Sequence, residues 1–355
     1  MTKIAILGYG VVGSGVAKLV SDCGALIEAR RGTALSVKSI LDIRQFPGDP
    51  FEKCFVDDFA PIENDPEISI VAETIGGVRH AYDFTKRALS AKKSVVTSNK
   101  ELVATHGAEL LALARENGVH YLFEAAVGGG IPIIHPLAQC LSADYITEVS
   151  GILNGTSNYI LTRMKDNGFT FDEALVEAQK LGYAEADPTD DVQGNDTARK
   201  MCILASMLSG RRVYPEQIEA EGITGVTPEH LEEAEKNGYA IKLVGRIRQG
   251  KNGPPAVYVA PHLVKRGHPL HSTDDVFNGV LLSCDMTGDV FLYGRGAGAL
   301  PTASAVLSDI LCAVSTKDPL GGLGWGDIPT TVALPGNAKD VPHHVFADGA
   351  AMRVL

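Results

Sequence analysis

The stretch Lys3-Ile4-Ala5-Ile6-Leu7-Gly8-Tyr9-Gly10-Val11-Val12-Gly13 decides the fold. Residues 3–7 form a short apolar run that reads as a buried strand, and residues 11–27 carry the pattern of the helix that follows. Between them lies Gly-x-Gly-x-x-Gly. Alone this is a weak signal, but between a strand and a helix it reads as a dinucleotide phosphate loop. Gly8 permits the tight turn, Gly10 lets a pyrophosphate approach the backbone, and Gly13 lets the helix pack close to the strand. Unpaired N–H groups at the helix start then face the phosphates. Gly8, Gly10, Val11, Val12 and Gly13 are the candidate cofactor-binding residues here. The competing reading, a tight turn without a ligand, is disfavoured because the loop begins within ten residues of the N-terminus.

Working outward, short apolar segments at 36–41, 68–73, 94–97 and 120–124 alternate with helical patterns at 81–91 and 107–116. Such alternation implies a parallel sheet covered on both faces, hence a doubly wound, Rossmann-type domain. The second strand runs into Leu41-Asp42-Ile43-Arg44. Asp42 is placed to bind the ribose 2′-OH of NAD, and Arg44 to hold the 2′-phosphate of NADP. Asp42 lies further from the glycines than the usual ~20 residues, so a simple surface Asp–Arg pair stays open, as does NAD against NADP.

Gly128-Gly129-Gly130-Ile131-Pro132 punctuates the chain and marks the expected domain boundary. Beyond it, strand patterns at 145–153, 242–248, 256–261 and 279–284 and helical ones at 171–181 and 191–208 indicate an α+β domain over 131–301 that serves catalysis and dimerisation. A helix over 302–314 is expected to return to the domain of residues 1–130, and residues 317–355 read as an irregular tail.

The totals agree with this plan. At roughly 150 residues per domain, 355 residues suggest two domains. A net charge of −11 argues against broad nucleic-acid binding. Six cysteines with no CxxC pair suit a reducing compartment. With no signal-peptide pattern and no run of about 20 apolar residues, the expectation is a cytoplasmic protein with no membrane contact. No His/Cys spacing suggests a transition metal.

Alcohol oxidation needs a cofactor to take hydride and a group to take the hydroxyl proton. Asp196 and Lys200, four apart on a helical pattern, share one face, while Met201, Leu204, Ala205 and Leu208 supply an apolar stripe. A solvated salt bridge is the bland reading of the pair. The acid-rich loop Gly182-Tyr183-Ala184-Glu185-Ala186-Asp187-Pro188 tilts the balance toward a site.

Six motifs in order resemble homoserine dehydrogenases. They are Glu73-Thr74-Ile75-Gly76-Gly77; Thr97-Ser98-Asn99-Lys100; the stretch from Glu124 to Pro132; Asn154-Gly155-Thr156-Ser157-Asn158-Tyr159; the stretch from Gly182 through Asp191 to Lys200; and Gly294-Arg295-Gly296-Ala297-Gly298 with Leu300-Pro301-Thr302. The resemblance implies NAD(P)-dependent conversion between L-homoserine and L-aspartate 4-semialdehyde, in threonine and methionine biosynthesis. It makes Lys200, Lys100 and Asp196 the catalytic groups, with Lys200 exchanging the hydroxyl proton. Glu185, Asp191, Asp196, Lys200 and Thr156 would hold the substrate. Thr74, Ser98, Lys100, Gly182, Glu185 and Gly298 would join the phosphate loop around the cofactor. Backbone carbonyls of Glu124, Val127, Gly129 and Ile131 would hold a monovalent cation, sodium or potassium; an ion-free hinge is the alternative. A homodimer through the second domain is implied too, and strands spread over 145–284 look too few to cover both faces of their sheet. The chain ends before the C-terminal threonine-sensing domain of many bacterial members, so regulation through it is not expected. Another amino-acid dehydrogenase of the same plan, or a non-catalytic dinucleotide sensor, remains the rival.

Overall fold

Strand β1 (Thr2–Leu7) buries Ile4, Ala5, Ile6 and Leu7 completely. In the computed structural model it is the centre of a six-stranded parallel sheet with β2 (Leu35–Leu41), β3 (Phe55–Val56), β4 (Ile68–Glu73), β5 (Ser94–Thr97) and β6 (Tyr121–Leu122). The order β3-β2-β1-β4-β5-β6 is the doubly wound one read from the sequence. Chain order reverses between β1 and β4, and a ligand crevice opens at that point, beyond the strands' carboxyl ends. Residues 1–250, 253–317, 320, 324–333 and 342–355 are described.

Three elements of this sheet differ from expectation. The single helix over 11–27 is two: α1 (Val11–Asp22) stops where Cys23 leaves helical geometry (φ −100°, ψ 4°), and α2 (Gly24–Arg31) restarts. The strand over 120–124 shrinks to β6, because Phe123 (φ −153°, ψ 36°) turns the chain into a short 3-10 segment, Glu124–Ala126. After α3 (Arg79–Ser90), α4 (Lys100–Asn117) begins well before 107, since the Asn99 side chain caps it by accepting from Leu102 N–H.

Contacts divide the chain into one unit of 1–142 with 297–327 and another of 143–296 with 328–355. The Gly128–Pro132 punctuation therefore lies inside the first unit, not at its border. The physical reason is Glu124: its buried carboxylate accepts from the N–H groups of Ile133, Ile134 and His135 at 2.6–2.9 Å, tying the turn down. The helix Ala299–Ser315 completes this unit against α1, where a Cβ on Gly15 would stand 3.0 Å from the Ala303 Cβ.

In the second unit, β7 (Ile146–Ile152), β8 (Tyr239–Arg248), β9 (Ala256–Lys265), β10 (Phe277–Cys284), β11 (Gly288–Arg295), β12 (His343–Val345) and β13 (Ala351–Val354) form a mixed sheet ordered β11-β10-β7-β8-β9-β13-β12. The tail is thus not wholly irregular: β13 runs parallel to β9 on its outer edge. Strands of three or four residues leave almost no alternation to read. The longer helices are α5 (Gly155–Asn167), α6 (Phe171–Lys180), α7 (Asn195–Ser209) and α8 (Pro228–Lys236), with one further helical turn at Thr189–Val192. Helices α5, α7 and α8 pack on β8, and Gly245 makes room: a Cβ there would lie 2.5 Å from Met201 Cγ. The helix expected over 191–208 starts at Asn195, because Gly194 takes φ +81°. Among the described residues no helix is long and apolar enough to cross a membrane.

Candidate active site

The phosphate loop lies in the first unit. Gly8 sits at φ +86°, a left-handed conformation that favours glycine. A Cβ on Gly13 would stand 1.9 Å from the Gly8 carbonyl oxygen, whereas one on Gly10 would meet nothing within 4 Å. Gly13 is thus required by packing, and Gly10 faces open space where a phosphate can approach. A cleft of about 520 Å³ opens there, lined by Gly8, Gly10, Asp42, Arg44, Thr74 and Gly76 among others. These features fit a dinucleotide.

The end of β2 shows what Asp42 does. Its carboxylate accepts from Tyr9 N–H (2.6 Å) and from Arg44 through Nε (3.0 Å), Nη2 (2.9 Å) and the backbone N–H (2.9 Å). The Arg44 guanidinium, followed by the backbone donors, holds the carboxyl down to about 2 against the effect of burial. Asp42 is therefore an anchor of the phosphate loop. Arg44 remains 57% exposed at the cleft. The Thr74 hydroxyl is engaged with the Leu7 and Gly8 carbonyls (2.9 and 2.7 Å), so it braces the loop while lining the cleft. Val11 and Val12 open α1.

At the end of β4, Glu73 is fully buried, accepting from Ile75 N–H (2.6 Å) and the Thr97 hydroxyl (2.5 Å); burial pushes its carboxyl up to about 7. The Asn99 side chain donates to the Ile75 and Gly77 carbonyls (3.1 and 2.7 Å). The ends of β4 and β5 are thereby locked together, with Ser98 and Lys100 partly exposed at the junction. Gly298 caps the helix Ala299–Ser315 at φ +117°.

The remaining candidate residues lie in the second unit. Lys200 and Asp196, one turn apart on α7, are both buried, with Lys200 Nζ donating to Asp196 Oδ2 and to the Leu153 carbonyl, each at 2.7 Å. The pair is not a solvated surface salt bridge. Asn154, which caps α5, donates through Nδ2 to Asp191 Oδ1 (2.7 Å) and Asp196 Oδ2 (3.0 Å). One amide thus draws Asp191 and Asp196 together beside a lysine. The Thr156 hydroxyl donates to the Tyr183 carbonyl (2.6 Å), fastening α5 to the acidic loop. Gly182 (φ +75°) and Glu185 lie exposed on that loop.

Two family models cover most of the chain: one described as homoserine dehydrogenase matches residues 132–311, and one described as homoserine dehydrogenase, NAD binding domain, matches residues 8–124. A homoserine dehydrogenase of Synechocystis sp. is 45% identical over 316 residues, spanning 87% of this chain and 72% of that protein. The chain belongs to the homoserine dehydrogenase family. The Lactococcus lactis member is 39% identical, spanning 94% and 79%. The crystal structure of a homoserine dehydrogenase from Thiobacillus denitrificans superposes with a TM-score of 0.85 at 38% identity, covering 92% of this chain and 79% of that one. A hyperthermophilic archaeal homoserine dehydrogenase mutant, solved with NADPH, gives 0.75 at 29% identity, covering 88% and 97%.

For a homoserine dehydrogenase, the structure brings Asp191, Asp196 and Lys200 together and leaves Glu185 outside that hydrogen-bonded group. Two contributors escaped the sequence reading. Asn154 had a signal, since an Asn before Gly-Thr-Ser is a helix cap. The Leu153 carbonyl had none, because any residue supplies a carbonyl.

Proposed function

We propose that this chain catalyses the NAD(P)-dependent oxidation of L-homoserine to L-aspartate 4-semialdehyde and its reverse, as a cytoplasmic enzyme of threonine and methionine biosynthesis. The observation that carries the reading is Lys200 Nζ, held in a buried position by Asp196 and the Leu153 carbonyl. A nicotinamide cofactor, when bound, supplies the two-electron acceptor or donor. Lys200 accepts the substrate hydroxyl proton in oxidation and returns it in reduction. Asp196 orients Nζ, and the carboxylates that Asn154 draws together, Asp191 and Asp196, attract the substrate's ammonium. Glu185 adds charge from the loop, and Lys100 offers a cation at the β5–α4 junction. Gly182 and Gly298 leave backbone exposed to the cofactor.

Assay of the purified chain with L-homoserine and each oxidised dinucleotide tests this. Turnover of homoserine, and none of aspartate, is expected; activity on aspartate alone would support the rival amino-acid dehydrogenase, and none at all the sensor. Arg44→Ala is expected to raise KM for NADP about 10-fold more than for NAD, the weight of one charge-assisted contact of about 1.4 kcal/mol. Equal changes would place the 2′ end of the nucleotide elsewhere.

A monovalent cation on the carbonyls of Glu124, Val127, Gly129 and Ile131 belongs to the same proposal. It is supported by the tight turn, in which Gly129 takes φ +58° and a Cβ on Gly128 would stand 2.4 Å from the Ile131 carbonyl oxygen. Replacing sodium and potassium by choline at constant ionic strength is expected to lower activity several-fold, with recovery on adding either ion. Unchanged activity would leave the turn a hinge.

A homodimer through the second unit is the expected assembly. Helices cover β8, whereas at the sheet's far edge Phe277 and Tyr293 stack 5.3 Å apart with Tyr293 51% exposed, an aromatic surface suited to a second copy. Sedimentation at micromolar concentration should give twice 37.6 kDa. A fully active monomer would end this part of the proposal.

A further inference from the structure

Cys312, His135 and Asp309 form a cluster in the first unit that the reaction does not use. Asp309 and Cys312 are three residues apart on the helix Ala299–Ser315 and share a face. His135 stands opposite. Its Nε2 lies 2.6 Å from Asp309 Oδ1, and its Nδ1 lies 3.7 Å from Cys312 Sγ. Asp309 is itself fixed: it is fully buried, and its Oδ2 accepts from Glu124 N–H at 2.8 Å. A carboxylate, an imidazole and a sulfur therefore stand in line, each held from behind. The remaining polar neighbours are the Glu124 carboxylate, 3.9 Å from His135 Nε2, and the Thr316 hydroxyl, 3.9 Å from Sγ.

The charges in this line favour an ion pair. With Nε2 bonded to Asp309, Nδ1 is the ring nitrogen left facing Sγ, where it holds the thiol proton and donates toward sulfur. That donor is also the main cause that pushes the Cys312 thiol below its ordinary range, against burial. Cys54, Cys202 and Cys284 are instead pushed up by burial. The helix gives no assistance, since Cys312 lies in its last turn, where the dipole opposes a negative charge. Cys312 is partly exposed, and 16% of the His135 side chain is accessible.

We propose that Cys312 is a modification site: a thiolate paired with the His135–Asp309 couple, which hydroperoxides oxidise to a sulfenic acid. The sulfur attacks one peroxide oxygen. An S–O bond forms and the O–O bond breaks, sulfur is oxidised by two electrons, and the peroxide is reduced. The departing hydroxide, or alkoxide, takes the proton of His135 and leaves as water or alcohol.

The test uses the full chain in its native state, with per-cysteine labelling followed by mass spectrometry. Iodoacetamide rates between pH 5 and 9 should place the Cys312 midpoint below the ordinary ~8.5. At pH 6.5 Cys312 should react about 10-fold faster than Cys140, which is exposed. After brief hydrogen peroxide treatment, dimedone should mark Cys312 first. His135→Asn should raise the midpoint by about a unit or more. A midpoint near the ordinary value in the unaltered protein overturns the proposal without any variant. So does a profile that His135→Asn leaves in place, or a dimedone adduct on other cysteines but not on Cys312.

Discussion

Lys200→Ala is expected to lower kcat by about 100-fold or more, the usual contribution of a positioned acid–base group. Dinucleotide affinity should hold, because the phosphate loop lies in the other unit of the chain. The substitution removes the donor that two acceptors share: Asp196 Oδ2 and the Leu153 carbonyl each lose a 2.7 Å partner in a buried setting. A stability loss of about 1–3 kcal/mol should accompany the kinetic one, so thermal melting is measured beside kcat. Below the shifted melting temperature only the chemical defect remains. A variant that keeps kcat within a few-fold would assign the proton to another group. Asp196→Asn offers an independent reading: it keeps the shape and removes the charge that orients Nζ, and a kcat unchanged there would separate Asp196 from the reaction.

Gly13→Val is expected to weaken dinucleotide binding about 100-fold, equivalent to about 2.7 kcal/mol, as read by fluorescence titration of the reduced cofactor. The obstacle to the new side chain is the backbone oxygen of Gly8, 1.9 Å from the first added carbon. A flexible side chain could swing aside, but this carbonyl belongs to the loop that must hold the phosphates. Helix α1 has to shift, and the N–H groups at its start shift with it. Gly10→Ala makes the contrast, since its added methyl meets nothing within 4 Å. It should leave the fold intact and impede only the ligand. Undiminished binding by Gly13→Val would remove the loop from the cofactor site.

What could be read in the sequence, and what could not, follows from the range of the forces involved. The Rossmann-type sheet was legible because residues 3–7 and 68–73 are largely apolar runs that lead into glycine turns, Gly8 after the first and Gly76-Gly77 after the second, and local pattern is all such strands need. The Lys200–Asp196 pair was legible as a one-turn spacing. Its burial was not, because that depends on β8 and on Leu153, 47 residues back along the chain. Asp42 reads as a ribose ligand by position; only the fold shows its carboxylate taken up by Tyr9 and Arg44. Helix α5 escaped because Gly155, Thr156, Ser157 and Asn158 are poor helix formers, and the Asn154 cap with tertiary packing overrides them. Strands β8 and β9 were read short at opposite ends. Their buried Lys242 and His262 break the apolar pattern, and Lys242 is tolerated only because Asn158, Thr273 and Asp274 receive its ammonium.

The helix Ala299–Ser315 that completes the first unit also sets a timetable for the chain's birth. On the ribosome, residues 1–142 emerge long before residue 299 is joined, and at ~5–20 residues per second the gap lasts roughly ten to thirty seconds. Throughout that interval α1 presents the groove at Gly15 with no helix in it, and Glu124 N–H waits for Asp309. The nucleotide unit, first to be begun, is therefore completed only after strands β7 to β11 of the second unit have been made. A chain released early is not a smaller enzyme but an open sheet with one flank bare, the form in which a nascent protein most depends on chaperones.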